Sequence, residues 1–201
     1  MIPPTYVEYL AAALGVLCVW WTGRESLWCW PVGIASAALY GWVFGGARLY
    51  SDAILQGIFV ALQAWGWWEW THGGRDREPL PVRRARPREV AAFAAIGVAA
   101  SAGLGIWMAT RTDASFPHLD ATLTILSLLA QTWLARKVLE SWWIWIVVDV
   151  ASIPLYVAKD LVVTAGLYAV FLVLAVLGER AWRRTLAAAP GGGLPATEPA
   201  P

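Results

Sequence analysis

Charge is scarce in this chain. Only 14% of its 201 residues are Asp, Glu, Lys or Arg, against roughly 25% in an ordinary soluble domain. Too few polar side chains are present to coat a water-soluble fold of this size. Cysteine is scarce as well. Cys18 and Cys29 both fall in or near apolar stretches. They fit no disulfide framework or metal-ligand spacing, and read as small buried hydrophobes. The two histidines form no His-Glu-x-x-His zinc pattern, and neither has an evident Ser or Cys partner. No catalytic centre, cofactor or nucleic-acid partner is called for. Met1–Tyr9 lacks the basic segment that opens a signal peptide, so the first apolar run is expected to be retained.

Hydrophobic residues make up 59% of the chain. Seven stretches approach the length of about 20 apolar residues that spans a bilayer as a helix. They are Tyr6–Thr22, Leu27–Gly45, Leu49–Trp70, Val90–Thr110, Ala121–Leu134, Trp142–Val157 and Leu161–Trp182. The runs are continuous and lack the alternating polarity of a membrane barrel. The expected fold is therefore an all-α integral membrane protein of seven transmembrane helices. Many of the 15 tryptophans sit near expected helix ends. They include Trp20, Trp21, Trp28, Trp30, Trp67, Trp68, Trp70, Trp142, Trp143 and Trp182, and the ordinary role there is the interfacial aromatic belt.

Charge also orients the chain. With seven spans and an outside N-terminus, 12 of the 15 Lys and Arg residues face the cytoplasm, leaving Arg48, Arg111 and Lys159 outside. That follows the positive-inside rule. The polar stretch Thr71–Arg88 reads as a cytoplasmic linker. The Ala-, Pro- and Gly-rich tail reads as disordered. An internal repeat is visible too. Glu25–Trp30 matches Glu140–Trp145 at a spacing of 115, and Ser36 and Tyr40 match Ser152 and Tyr156 at 116. Asp52, Phe59, Gly66 and Trp70 match Thr164, Phe171, Gly178 and Trp182 at 112, as if Gly45–Arg48 had no counterpart. The expected division is 1–71 for a first three-helix repeat, 72–88 for the linker and 89–117 for a joining fourth helix. A second repeat follows at 118–184 and the tail at 185–201. An odd joining helix makes the repeats parallel, as in transporters with a central site between halves.

Polar side chains deep in a membrane are costly and mark candidate function. Asp149 lies mid-way along the sixth stretch, with Trp145, Ser152 and Tyr156 on the same helical face. Packing against another polar group is its plainer role. Pro154 can leave a backbone carbonyl free to line a cavity. The third stretch carries Asp52, Gln56, Phe59, Gln63 and Trp67 on one face. Asp52 could equally be a helix cap. The fifth carries Thr124, Ser127 and Gln131, where the hydroxyls could bond their own helix. Together these faces suggest a partly hydrated cavity for a neutral or singly charged solute with a flat ring. The arginine rows that a phosphate would need are missing. So are a voltage sensor's charge ladder and a potassium filter.

At these residues the sequence resembles the PnuC family of bacterial vitamin transporters. The closest stretch is Glu140-Ser-Trp-Trp-Ile-Trp-Ile-Val-Val-Asp149, followed by Ile153-Pro-Leu-Tyr156, Lys159, Thr164-Ala-Gly-Leu-Tyr168 and Gly178 with Trp182. Leu49–Gln56 with Gly66–Trp70, and Leu128–Gln131 with Lys137, extend the likeness over roughly 17–182. The resemblance implies a three-plus-one-plus-three arrangement, related in plan to SWEET sugar carriers. It implies facilitated diffusion of nicotinamide riboside across the inner membrane, trapping by cytoplasmic phosphorylation, and trimers. Relatives carrying thiamine or riboflavin are its alternatives. The implied substrate site draws on Gln56, Gln131, Trp145 and Asp149, with Trp67, Asp52, Gln63, Tyr156, Ser152 and Tyr168. Three other readings compete with a passive carrier. They are proton coupling through Asp149 or Asp52, an intramembrane enzyme using those two aspartates as a pair, and a receptor or scaffold without transport.

Overall fold

Seven helices carry almost all of the residues that the computed structural model describes, 4–48, 50–74, 80–112 and 115–188. In order they are α1 (Pro4–Gly23), α2 (Cys29–Gly46), α3 (Tyr50–His72), α4 (Pro87–Arg111), α5 (Pro117–Ala135), α6 (Ser141–Ala158) and α7 (Val162–Ala188). Continuous apolar sequence makes the helices, and particular residues stop them. Pro87 and Pro117 open α4 and α5, where a missing N–H costs nothing. Glu89 reaches back to the Arg86 N–H at 2.8 Å and closes a capping box. α5 thus starts at Pro117, earlier than the apolar run suggested, and α7 continues to Ala188, past the expected start of the tail. Residues 189–201 of that tail and 75–79 of the linker lie outside the described residues. By length and composition, α1, α4, α6 and α7 are apolar enough to cross a membrane. In α3, polar side chains such as Asp52, Gln56, Gln63 and Glu69 dilute the apolar character.

The turns repeat with one spacing. Glu25 and Lys137, each with positive φ, follow α1 and α5, while Arg48 and Asp160, also with positive φ, follow α2 and α6. Each second member lies 112 residues after the first, as do both ends of α6 relative to α2 and the start of α7 relative to α3. The register of 115 to 116 expected for the first part of the repeat is therefore corrected to 112. Gly45–Arg48 does have a counterpart, Val157–Asp160. The Glu-Ser-x-Trp-x-Trp similarity had drawn the alignment off by one helical turn, so Trp30 corresponds to Trp142 and not to Trp145.

Packing follows the same plan. α2 lies between α1 and α3, and α6 between α5 and α7; the groups meet where α3 packs on α5 and α7 on α1. α4 packs on α5, with Phe93 stacked on Trp133 at 4.5 Å. At the end where α1 and α5 finish, Trp30, Trp70, Trp142 and Trp182 are buried in one cluster. The Trp30–Trp70 and Trp142–Trp182 rings meet edge to face at 5.1 and 5.4 Å. The Trp70 indole N–H donates to the Leu134 carbonyl and that of Trp182 to the Thr22 carbonyl. These four tryptophans are thus core and not interfacial belt, while Trp20, Trp28, Trp67, Trp68 and Trp143 are exposed. Trp21 is partly buried against the same cluster.

The linker is seated rather than loose where it is described. The Arg83 N–H donates to Lys137 O and its carbonyl accepts from the Leu139 N–H, both at 2.9 Å. The Glu140 carboxylate accepts from the Ala85 N–H at 2.8 Å. Beside it, Lys137 pairs with Glu25 at 2.8 Å and lies over the Trp70 ring.

Candidate functional site

Asp149 is the most buried acidic residue of the candidate set, 2% exposed at the middle of α6. Among the described residues no hydrogen-bond donor or counter-charge reaches its carboxylate. Ser152, on the same face, is equally buried. One turn the other way, Trp145 is partly buried between the tryptophan cluster and a smaller one formed by Leu123, Val148 and Leu155. α5 packs along α6 and buries Gln131. On the far side, Tyr156 of α6 stacks on Tyr168 of α7 with centroids 5.1 Å apart, and Tyr168 meets Phe171 edge to face. α6 and α7 therefore bring stacked phenols to the helix that holds a buried carboxylate, with Gln131 on the adjoining helix. A carboxylate held this way can stabilise a cationic ring or accept from a hydroxyl. Stacked phenols offer flat apolar surface.

The α3 stripe divides. Gln56 is partly buried and its Cβ stem packs toward Gly41 of α2. Gln63 is buried, but its amide oxygen sits against Gly33, with the Cys18 thiol 4.0 Å away. That is packing inside α1–α2–α3. Asp52 lies exposed in the first turn of α3, and Trp67 is 41% exposed. The structure thus brings together Trp145, Asp149, Ser152, Tyr156 and Tyr168 along α6 and α7. It does not gather Asp52, Gln63 and Trp67 with them. An aspartyl pair has no support in this geometry, since one aspartate is exposed at a helix end and the other buried mid-helix. Ser127 donates to the Leu123 carbonyl of its own helix, the plainer of its two roles. Tyr40 of α2, singled out by the repeat and not by the polar stripes, stacks on Phe44 of its own helix.

A match to the family described as "Nicotinamide mononucleotide transporter" runs over residues 5–184. The chain belongs to that family. Members of this PnuC family similar to it include "Nicotinamide riboside transporter PnuC" of Escherichia coli, 22% identical over 89% of this chain and 85% of that protein. "Riboflavin/roseoflavin transporter RibM" of Streptomyces davaonensis is 27% identical over 84% of this chain and 80% of its own length. A solved structure, "Crystal structure of the Vitamin B3 transporter PnuC", shares the fold with a TM-score of 0.71 at 23% identity. It covers 92% of this chain and 83% of that one. An all-helical, multi-pass membrane protein of the PnuC family is the result.

Proposed function

We propose that this chain is a carrier that moves an unphosphorylated vitamin, nicotinamide riboside first, down its gradient across the bacterial inner membrane. The observation that carries the reading is Asp149, buried mid-helix without a protein counter-charge beside stacked tyrosines. A pyridinium cation would supply that charge, and its flat ring suits the phenols. The family's description speaks of a mononucleotide, but a phosphate would be repelled by Asp149, and among the described residues no Lys or Arg joins the cluster. The names of the relatives support the riboside. Trapping by a cytoplasmic kinase would then keep the flux inward.

The wider reading has seven spans in a three-plus-one-plus-three, SWEET-like plan. Its units are 1–71, 72–88, 89–117 and 118–184, the N-terminus is outside and the C-terminus inside, and protomers associate as trimers. The 112-residue recurrence of the positive-φ turns and of both ends of α6 relative to α2 supports the parallel repeat. The substrate set is Trp145, Asp149, Ser152, Tyr156, Tyr168, Gln131 and Gln56. Riboflavin is the second reading, favoured by the higher identity to RibM. Its neutral ring leaves Asp149 without a charge to meet.

Uptake of labelled nicotinamide riboside into liposomes holding the purified protein tests this. Saturable uptake is expected, competed by the riboside and not by its mononucleotide, and unchanged when the pH gradient is collapsed. Uptake competed only by riboflavin would replace the substrate. Loss of uptake on collapsing the pH gradient would replace passive transport with proton coupling.

A further inference from the structure

Outside the central cluster, a groove of about 500 Å³ opens between the start of α6 and the last turns of α7. Its apolar lining comes from the partly buried Ile146 and Val176 and the exposed Trp143. Its mouth carries Arg180, Arg183 and Arg184, all exposed. Glu179 also lines it, and Arg183 donates to that carboxylate, partly neutralising one arginine. Arg180 and Arg184 stand one turn apart on the same helix, a like-charge spacing that is unfavourable unless an anion is shared.

The repeat sharpens the point. At the 112-residue register the positions matching Arg180, Arg183 and Arg184 are Trp68, Thr71 and His72. The repeated helix therefore folds without arginines there. Arg183 has a structural use as partner of the buried Glu179, whereas among the described residues neither Arg180 nor Arg184 has one.

We propose that this groove binds an anionic phospholipid, its phosphate held by Arg180 and Arg184 and an acyl chain laid along Ile146 and Val176. The shape matches that ligand: basic at the headgroup level that Trp143 marks, and apolar toward the bilayer centre. Arginine forks suit a phosphodiester. A free phosphate would use the arginines and leave the apolar wall empty.

Native mass spectrometry and thermal unfolding of the full chain in neutral detergent test this, with phosphatidylglycerol or phosphatidylcholine added. Phosphatidylglycerol is expected to bind and raise the melting temperature, and phosphatidylcholine to do so much less. In the Arg180→Gln/Arg184→Gln double variant the apparent affinity for phosphatidylglycerol should fall roughly thirtyfold, at about one attractive increment per arginine. Arg84→Gln, an exposed arginine of the linker, should leave it unchanged. Equal binding of both lipids, an unaltered affinity in the double variant, or an equal loss in Arg84→Gln would overturn the site. Stabilisation by inorganic phosphate or glycerol phosphate matching that by the lipid would assign the arginines to a soluble anion instead. The double variant's melting temperature without lipid separates a folding defect from lost binding. Should it fail to fold, Arg184→Gln alone, expected to weaken binding about fivefold, decides between the same outcomes.

Discussion

Two glycines seat the tryptophan cluster, and their surroundings make a direct test of it. A Cβ at Gly66 would run into the Trp30 ring, and one at Gly178 would stand 2.6 Å from the Trp142 ring. Gly66→Ala should therefore destabilise the protein by about 1–3 kcal/mol, the usual cost of overpacking. Pairing it with Trp30→Phe, which withdraws the outer ring, should recover part of the loss. Detergent unfolding curves followed by tryptophan fluorescence would show it, and equal stability of Gly66→Ala and the native chain would refute the packing. A second pair separates binding from packing. Gln131→Ala is expected to weaken riboside affinity five- to a hundredfold, from about 1–3 kcal/mol for a lost buried partner. Gln63→Ala, whose amide sits inside the first three helices, should lower the melting temperature and leave affinity alone. Calorimetric titration of both variants distinguishes them; the reverse result would return Gln63 to the site. The burial of Asp149 was legible from its place in an apolar run, where a carboxylate has few structural uses. The tryptophans were not. Trp28 and Trp30 stand two residues apart, yet one is 67% and the other 2% exposed. Which face a ring takes depends on the helices that meet there, and composition carries no record of that.

Between elements, the junction of the two three-helix groups rests on a small polar cluster at the ends of α1 and α5. Lys137 and Glu25 occupy matching left-handed turns, pair at 2.8 Å, and Thr185 of α7 donates to the same glutamate at 2.9 Å. The Lys137 side chain is only 7% exposed. Removing its partner leaves a nearly buried charge alone, so Glu25→Gln should cost about 1–3 kcal/mol. Glu25→Gln/Lys137→Met should cost less than the sum of the single changes. A double-mutant cycle measured by thermal unfolding checks this, and strict additivity would mean that the pair does not couple the halves. The helices themselves were readable from apolar length and from prolines at their starts. Their register was not. The similarity of Glu25–Trp30 to Glu140–Trp145 offered a match one turn out of step, and the positive-φ turns at Glu25 and Lys137, with Arg48 and Asp160, fix the spacing at 112 together with the ends of α2 and α6. Four polar residues, one in each of four turns, leave almost no hydrophobic pattern from which to align them.

For the whole molecule, the proposed orientation rests on charge and can be tested at two described turns. Arg84 lies exposed in the linker beside the α5–α6 turn, and Arg48 lies exposed at the α2–α3 turn. Helix order puts these turns at opposite ends: α1 and α5 finish at one, α2 and α6 at the other. The first end holds Arg24, the described linker arginines, Arg136, Lys137 and the arginines of α7. The second holds Arg48, Arg111 and Lys159, the last paired with Asp120 at 2.9 Å. Each Lys or Arg near an anionic leaflet contributes about 1 kcal/mol of attraction, which is why the proposed orientation puts the crowded end in the cytoplasm. The native Cys18 and Cys29 sit within helices, Cys29 fully buried, and give little background. With single cysteines introduced as Arg84→Cys and Arg48→Cys, an impermeant maleimide added to intact cells should label position 48 and spare position 84. Opening the inner membrane should make position 84 reactive as well. Labelling of position 84 in intact cells would invert the molecule and put the arginine-rich mouth of the α6–α7 groove at the outer leaflet. The lipid proposed there would then have to be recruited from the other face.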